Sequence, residues 1–200
     1  MIDRFYPVVP TAEWVACLVP AGVRFVQLRI KDQPEAELRR QVRAANAICI
    51  RYGAALVVND HWRIAIDEKS PWVHLGQEDL ADADVNAIRR SGLKLGVSTH
   101  DRAELEKGLA TDPDYVALGP IWPTALKKMP WAPQGLERIG EWKTLIGSKP
   151  LVAIGGLTLE RAVQCLKAGA DSAAVVGDIV NNVDPVAQAR KWIERTRAAA

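Results

Sequence analysis

The chain has 200 residues, which bounds it to one domain or at most two small ones with a substantial core. With 48% hydrophobic and 25% charged residues it is globular in composition, which excludes disorder as its main state. Lysine and arginine exceed the acids by 26 − 24 = 2, so no general affinity for nucleic acid or membrane is expected, and any anion site must be a local cluster.

Met1-Ile2-Asp3-Arg4 leads directly into a strand-like run without an apolar signal-peptide stretch, and no later run reaches the roughly 18 residues that span a bilayer. The predicted strands follow in order: Phe5–Val9, Val23–Leu28, Ala55–Val58, Trp72–Leu75, Lys94–Ser98, Tyr115–Gly119, Leu151–Gly155 and Ala173–Gly177. They are continuous apolar runs, as suits parallel strands covered on both faces. Amphipathic helices fall between them. The clearest is Glu35–Tyr52, with Leu38, Val42, Ala45 and Cys49 on one stripe and Arg39, Arg40 and Arg43 largely outside it. Gly22, Gly53, Gly92, Gly108 and Gly169 stand between helix and next strand, where a C-terminus turning through positive φ is expected. Eight strands alternating with eight helices predict a single-domain (β/α)₈ TIM barrel. The runner-up, an open doubly wound sheet, lacks its Gly-x-Gly-x-x-Gly turn after the first strand. Cys17, Cys49 and Cys165 are odd in number, far apart and outside any CxxC pair, so buried thiols in a reducing cytoplasm are expected, with no disulfide framework or zinc site.

In such a barrel the chemistry lies at the C-terminal ends of the strands. Those positions hold Gln27, Arg29, Lys31 and Asp32; Asn59, Asp60 and His61; Gln77, Glu78 and Asp79; Ser98, Thr99 and His100; Thr124, Lys127 and Lys128; Gly155 and Gly156; Gly177 and Asp178. Gln27, Arg29 and Lys31 alternate, which directs all three into the mouth, and basic residues there suit an anion. Asp60 and Asp79 end neighbouring strands. Two converging carboxylates either raise each other's pKa or share a cation, and Mg²⁺ bridging them to a phosphate accounts for both the acids and the nearby bases. The competing expectation is that each aspartate merely caps the following helix. Gly155-Gly156 and Gly177 occupy the usual barrel phosphate position after strands seven and eight, so two anion sites are expected. His74 lies within a strand and reads as a core or supporting residue, while His61 and His100 could equally touch ligand, cap or face solvent. No Ser/His/Asp or Cys/His nucleophile set is present. Trp122 and Trp131 flank the strand-six loop and are candidates for a lid.

Seven segments in register, Gln27-Leu-Arg-Ile-Lys31, Asn59-Asp60, His74-Leu-Gly-Gln-Glu-Asp79, Gly96-Val-Ser98, Gly119-Pro-Ile-Trp-Pro-Thr124 with Lys127, Val152-Ala-Ile-Gly-Gly156 and Ala174-Val-Val-Gly177, resemble the thiamine phosphate synthase family. The resemblance implies a (β/α)₈ transferase that joins 4-amino-2-methyl-5-hydroxymethylpyrimidine diphosphate to thiazole phosphate, with Mg²⁺ as cofactor. It implies that Gln27, Leu28, Arg29, Ile30, Lys31, Asn59, Ser98 and Lys127 bind the pyrimidine diphosphate. Of these, Arg29, Lys31, Ser98 and Lys127 would be the catalytic group. Asp60 and Asp79 would hold the metal, and Thr124, Ala125, Leu126, Gly156, Val176 and Gly177 the thiazole phosphate. The implied partners are small molecules only, and the oligomeric state is left open.

Two positions depart from the family pattern. Leu126 stands where relatives carry a hydroxyl residue before the lysine, and Gly177 where serine is common. Both bear on thiazole phosphate binding. The alternatives are a thiazole tautomerase-like relative, a sugar-phosphate isomerase or epimerase, and a catalytically silent binder of thiamine precursors. The tautomerase group tends to lack the paired carboxylates and carries histidine where this chain has Pro120. An isomerase needs an acid/base pair facing a single substrate.

Overall fold

Short runs that are apolar on both faces are stable only when something covers each face. In the computed structural model, which describes residues 2–124 and 131–199, the runs pair side by side until the sheet meets itself. The strands are β1 (Phe5–Val9), β2 (Phe25–Leu28), β3 (Ala55–Asn59), β4 (Trp72–Leu75), β5 (Lys94–Thr99), β6 (Tyr115–Leu118), β7 (Leu151–Ile154) and β8 (Ser172–Val175). They form a closed parallel barrel in sequence order. Closure rules out the open doubly wound sheet.

The seam between first and last strands pairs Phe5 with Ala173 and Tyr6 with Ala174. It is fastened further by Ser172 Oγ donating to the Asp3 carbonyl and by Arg197 on the Asp3 carboxylate at 3.0 Å.

Among the described residues the helices are α1 (Ala12–Leu18), α2 (Glu35–Tyr52), α3 (Trp62–Asp67), α4 (Gln77–Ala81), α5 (Val85–Arg90), α6 (Arg102–Ala110), α7 (Glu137–Ile146), α8 (Leu159–Lys167), α9 (Gly177–Val180) and α10 (Pro185–Ala198). That is two more than one per strand. The β4–β5 crossover is split where Asp84 starts a new helix by accepting from the Ala87 N–H, and β8 is followed by both α9 and α10. None of these helices is long and apolar enough to cross a membrane.

Helix α2 has the bounds expected from sequence. Leu38, Val42, Ala45 and Cys49 are buried, and burying a leucine or valine side chain is worth about 1.5–3 kcal/mol. It ends at Gly53, whose φ of +65° turns the chain toward β3. Gly22, Gly92 and Gly169 also have positive φ, but Gly108 does not stand at a turn. It lies inside α6, where an added Cβ would come within 3.1 Å of the Val97 side chain, so its role is close helix–strand packing. The turn beyond α6 passes instead through Asp112, at φ +50°.

Alternate strand residues divide into two cores. The larger lies between barrel and helices; the smaller fills the barrel with Tyr6, Val8, Phe25, Val57, Trp72, Tyr115, Ala117, Val152 and Ala174. Tyr6, Phe25, Trp72 and Tyr115 interlock there, with ring centroids 4.5 Å (Tyr6–Phe25), 5.2 Å (Phe25–Trp72) and 5.8 Å (Trp72–Tyr115) apart. This aromatic layer is the floor on which the mouth is built.

Candidate active site

The paired aspartates are the centre of the mouth. Asp60 follows β3 at φ +64°, and its N–H is held by the His74 carbonyl on β4 at 2.8 Å. Asp79 lies in α4, and its carboxyl group is close enough to act on that of Asp60. Neither caps a helix: His61 is the N-cap of α3, Gly76 that of α4, and no side chain bonds at either cap. Burial, then the Asp79 charge, pushes the Asp60 carboxyl up from 3.8 to about 6, with Arg29 and His61 pulling the other way. Burial and the neighbouring acid outweigh the nearby bases, so Asp60 favours retention of a proton.

Among the described residues no cluster of three or more His, Cys, Asp or Glu side chains surrounds a possible metal position. Two carboxylates with open space beside them suit an ion that also takes water and phosphate oxygens. A cavity of about 680 Å³ opens next to the pair, lined also by Glu35, Arg39, His61, Arg63 and Asp82. It runs outward along α2 and α3, and Gln27, Ser98 and Gly156 are not among the residues that line it.

Gln27 is buried on β2, Arg29 and Lys31 lie beyond its end, and the Arg29 N–H is held by Val9. Arg29 is close enough to act on both Asp60 and His74, whereas Lys31 is exposed. Leu28 and Ile30 point the other way, into the outer core, so only their main chain remains to touch a ligand. Asn59 is buried at the end of β3, level with His74.

Ser98 is half-buried on β5. Its hydroxyl meets His74 Nε2 at 2.8 Å, and its carbonyl accepts from Gln77 Nε2 at 2.6 Å. Beyond His74 the bonds continue: Nδ1 meets the Tyr115 hydroxyl at 2.8 Å, that hydroxyl meets Tyr6 at 2.9 Å, and Gln27 Nε2 donates to Tyr6 at 2.8 Å. Burial, followed by the charges of Arg29 and His100, drives the His74 pKa down to about 4, and burial raises both tyrosines. This polar string across the barrel interior was not evident from the sequence. The available signal was hydroxyl-bearing tyrosines at inward positions of β1 and β6, with Gly96 opposite one of them. A Cβ at Gly96 would lie 2.0 Å from the Tyr115 ring, so glycine is what lets that ring cross.

At the other side of the mouth, Gly155 and Gly156 have φ of +98° and +66°. Their missing side chains admit the chain after β6. A Cβ on Gly155 would stand 2.6 Å from Pro120 and one on Gly156 2.5 Å from the Pro123 carbonyl. Arg161 donates to the Gly156 carbonyl at 2.6 Å and lies 5.3 Å over Trp122, so Trp122 is tied down as a packing residue. Thr124 is half-buried and engaged, Val176 packs on the inner core, and Gly177 begins α9, which no side chain caps. Ala125, Leu126, Lys127 and Lys128 lie outside the described residues.

Three residues expected at the mouth do other work. Thr99 faces the helices, bonding to the Ala117 carbonyl and accepting from Trp142. Asp178 accepts from Gln188 and Trp192 on α10. His100 bonds to Glu104 and stacks on Trp131 at 4.0 Å and 12°.

Comparison with known proteins gives concordant matches. Residues 5–179 match the family model described as thiamine monophosphate synthase. The chain is 59% identical over 195 residues to a thiamine-phosphate synthase of Rhizobium etli, covering 98% of this chain and 96% of that one. It is 49% identical over 179 residues to one of Escherichia coli, covering 90% and 85%. In fold it is similar to a thiamine phosphate pyrophosphorylase from Pyrococcus furiosus, with a TM-score of 0.85 at 23% identity and coverage of 98% and 96%.

Proposed function

The chain belongs to the thiamine monophosphate synthase family, and from that premise we propose that its barrel mouth joins the methylene carbon of an aminopyrimidinylmethyl diphosphate to the nitrogen of a thiazole phosphate, releasing diphosphate. The transferase reading is favoured over the tautomerase, isomerase and silent alternatives by relatives at 49–59% identity.

The observation that carries the site assignment is the closeness of Asp60 to Asp79 in reach of Arg29. Such a pair suits Mg²⁺, a hard cation that takes one or two carboxylates and leaves its other positions to water and phosphate. When bound, Mg²⁺ supplies charge neutralisation to the leaving diphosphate. Arg29, Lys31 and Lys127 add to it from the protein, Arg29 as a planar fork and the lysines as point charges. Gln27, Asn59 and Ser98 orient the pyrimidine diphosphate, with Leu28 and Ile30 contributing main chain.

The methylene C–O bond breaks with its electron pair leaving on diphosphate, and the aminopyrimidine ring carries the positive charge. The thiazole nitrogen then gives its lone pair to form the C–N bond. No side-chain nucleophile is required, which agrees with the lack of one in the sequence. The protein's part is positioning, preorganised charge and exclusion of the water that would trap the cation.

Thiazole phosphate is assigned to Thr124, Ala125, Leu126, Gly156, Val176 and Gly177. Leu126 and Gly177 offer no hydroxyl, so weaker retention of that substrate is expected. Incubating the protein with both substrates and Mg²⁺ should yield thiamine phosphate, and no product at high enzyme concentration overturns the reading.

A further inference from the structure

The string of bonds through the barrel has a direction. We propose that Gln27, Tyr6, Tyr115 and His74 together fix the hydroxyl of Ser98 so that its proton is committed to a ligand acceptor in the mouth, with His74 as the positioning residue.

The string has four links: Gln27 Nε2 to Tyr6, Tyr6 to Tyr115, Tyr115 to His74 Nδ1, and His74 Nε2 to Ser98. Each link needs one hydrogen. An amide nitrogen can only donate, so Gln27 supplies the first. Tyr6 then has its own proton left, and at 1% exposure its only other partner in the string is the Tyr115 hydroxyl. Tyr115, accepting there, donates to Nδ1. The imidazole therefore carries its hydrogen on Nε2 and donates to Ser98 Oγ. At the mouth end of the string, the Ser98 proton is left unused.

The reverse arrangement has Ser98 donating to Nε2, Nδ1–H to Tyr115 and Tyr115 to Tyr6. Tyr6 would then accept twice with its own O–H unpaired inside the aromatic layer. An imidazolium leaves the same orphan. An unpaired buried hydroxyl disfavours either arrangement by roughly fivefold to a hundredfold or more.

The string also ends blind. Gln27 is 4% exposed and has no acid to pass on, so the device orients a proton and does not carry one to solvent. A serine that already accepts from His74 and keeps its proton free suits an anionic oxygen. Resting on the function proposed above, the natural acceptor is a diphosphate oxygen of the pyrimidine substrate.

The test begins with the unliganded protein labelled with ¹⁵N-histidine. Of its three histidines, the His74 signals are those lost in His74→Gln. They should show a protonated Nε2 and a bare Nδ1; a proton on Nδ1, or on both nitrogens, overturns the proposal. The second measurement is the KM for the pyrimidine diphosphate. Ser98→Ala and His74→Met should each raise it roughly tenfold to a hundredfold, the range for a hydrogen bond to a charged group. The double variant should be no worse than either single one. His74→Gln, whose amide can still donate toward Ser98, should keep most of the affinity. Additive losses, or a Gln variant as poor as the Met variant, reduce His74 to packing and overturn the proposal. Absence of any coupling activity in the wild-type chain overturns the function instead, and the nitrogen spectrum still decides the tautomer.

Discussion

Replacing Asp60 by asparagine isolates the electrostatic cost of the two neighbouring acids. At φ +64° this position is left-handed, where asparagine is tolerated nearly as well as aspartate and alanine is not. Asp60→Asn therefore removes charge and spares the backbone. The Asp60 carboxyl sits near 6 in the folded chain against an ordinary 3.8. The folded state thus keeps a proton that the unfolded chain releases. Stability on this account is greatest below about pH 4, falls as pH rises toward 6, and stays low above it. A rise from 3.8 to about 6 corresponds to about 3 kcal/mol, and the solvent that still reaches Asp60 reduces it to about 1–2 kcal/mol. Urea unfolding in the presence of a chelator should find Asp60→Asn more stable than wild type by that amount at pH 7 and about level with it near pH 4. Added Mg²⁺ should narrow the gap at pH 7, because a cation held by both carboxylates takes the place of the proton. An asparagine variant that is less stable at pH 7, or whose advantage does not change with pH, refutes the reasoning.

Asp79→Ala should lower turnover more than tenfold, above about 1.4 kcal/mol of transition-state stabilisation, with the circular dichroism spectrum unchanged; wild-type rates at limiting Mg²⁺ would show that Asp79 holds no metal. Gly96→Ala should lower the urea midpoint by the equivalent of about 1–3 kcal/mol, because its Cβ meets the Tyr115 ring at 2.0 Å; an unchanged midpoint would mean that the ring has room to move. Trp131→Ala removes the face stacked on His100. It should slow turnover several-fold and increase the share of pyrimidine released as the free alcohol after capture by water. If both turnover and that ratio are unchanged, the stack serves packing alone.

The barrel was legible because its strands are uninterrupted apolar runs, and β4 and α2 matched their expected bounds to the residue. What could not be read was which way a polar residue turns at a strand end. Thr99 follows Ser98 by one position and so takes the helix side, where Trp142 offers it a donor. Asp178 satisfies the indole of Trp192, a partner 14 residues further on. The split of the β4–β5 crossover follows from Asp84 capping a new helix, a local bond that apolar periodicity does not register. Tyr6 and Tyr115 were hidden for the opposite reason. Within hydrophobic runs they count as core, and only the three-dimensional register aligns Tyr115 with Gly96 and lets its hydroxyl reach His74. The paired aspartates were foreseeable because β3 and β4 are neighbours in the sequence as well as in space. The constrained geometry of Gly155 and Gly156 was visible as two glycines, but the passage of Pro120 to Pro123 against them was not.

The seam between β1 and β8 brings Asp3 against Ser172 and Arg197, pairing positions almost the whole chain apart. Every other strand pairing can form between stretches adjacent along the chain. This one must wait for a loop of about 170 residues to close, at an entropic cost that grows only slowly with length but is met before any contact repays it. Barrel assembly should therefore proceed around the ring and end there. The same proximity makes residues 3 and 197 a natural place to join the ends, with new termini opened between α4 and α5. A chain rearranged in that way would turn its most distant strand pairing into a local one while leaving Asp60 and Asp79 on one unbroken stretch from β3 to α4.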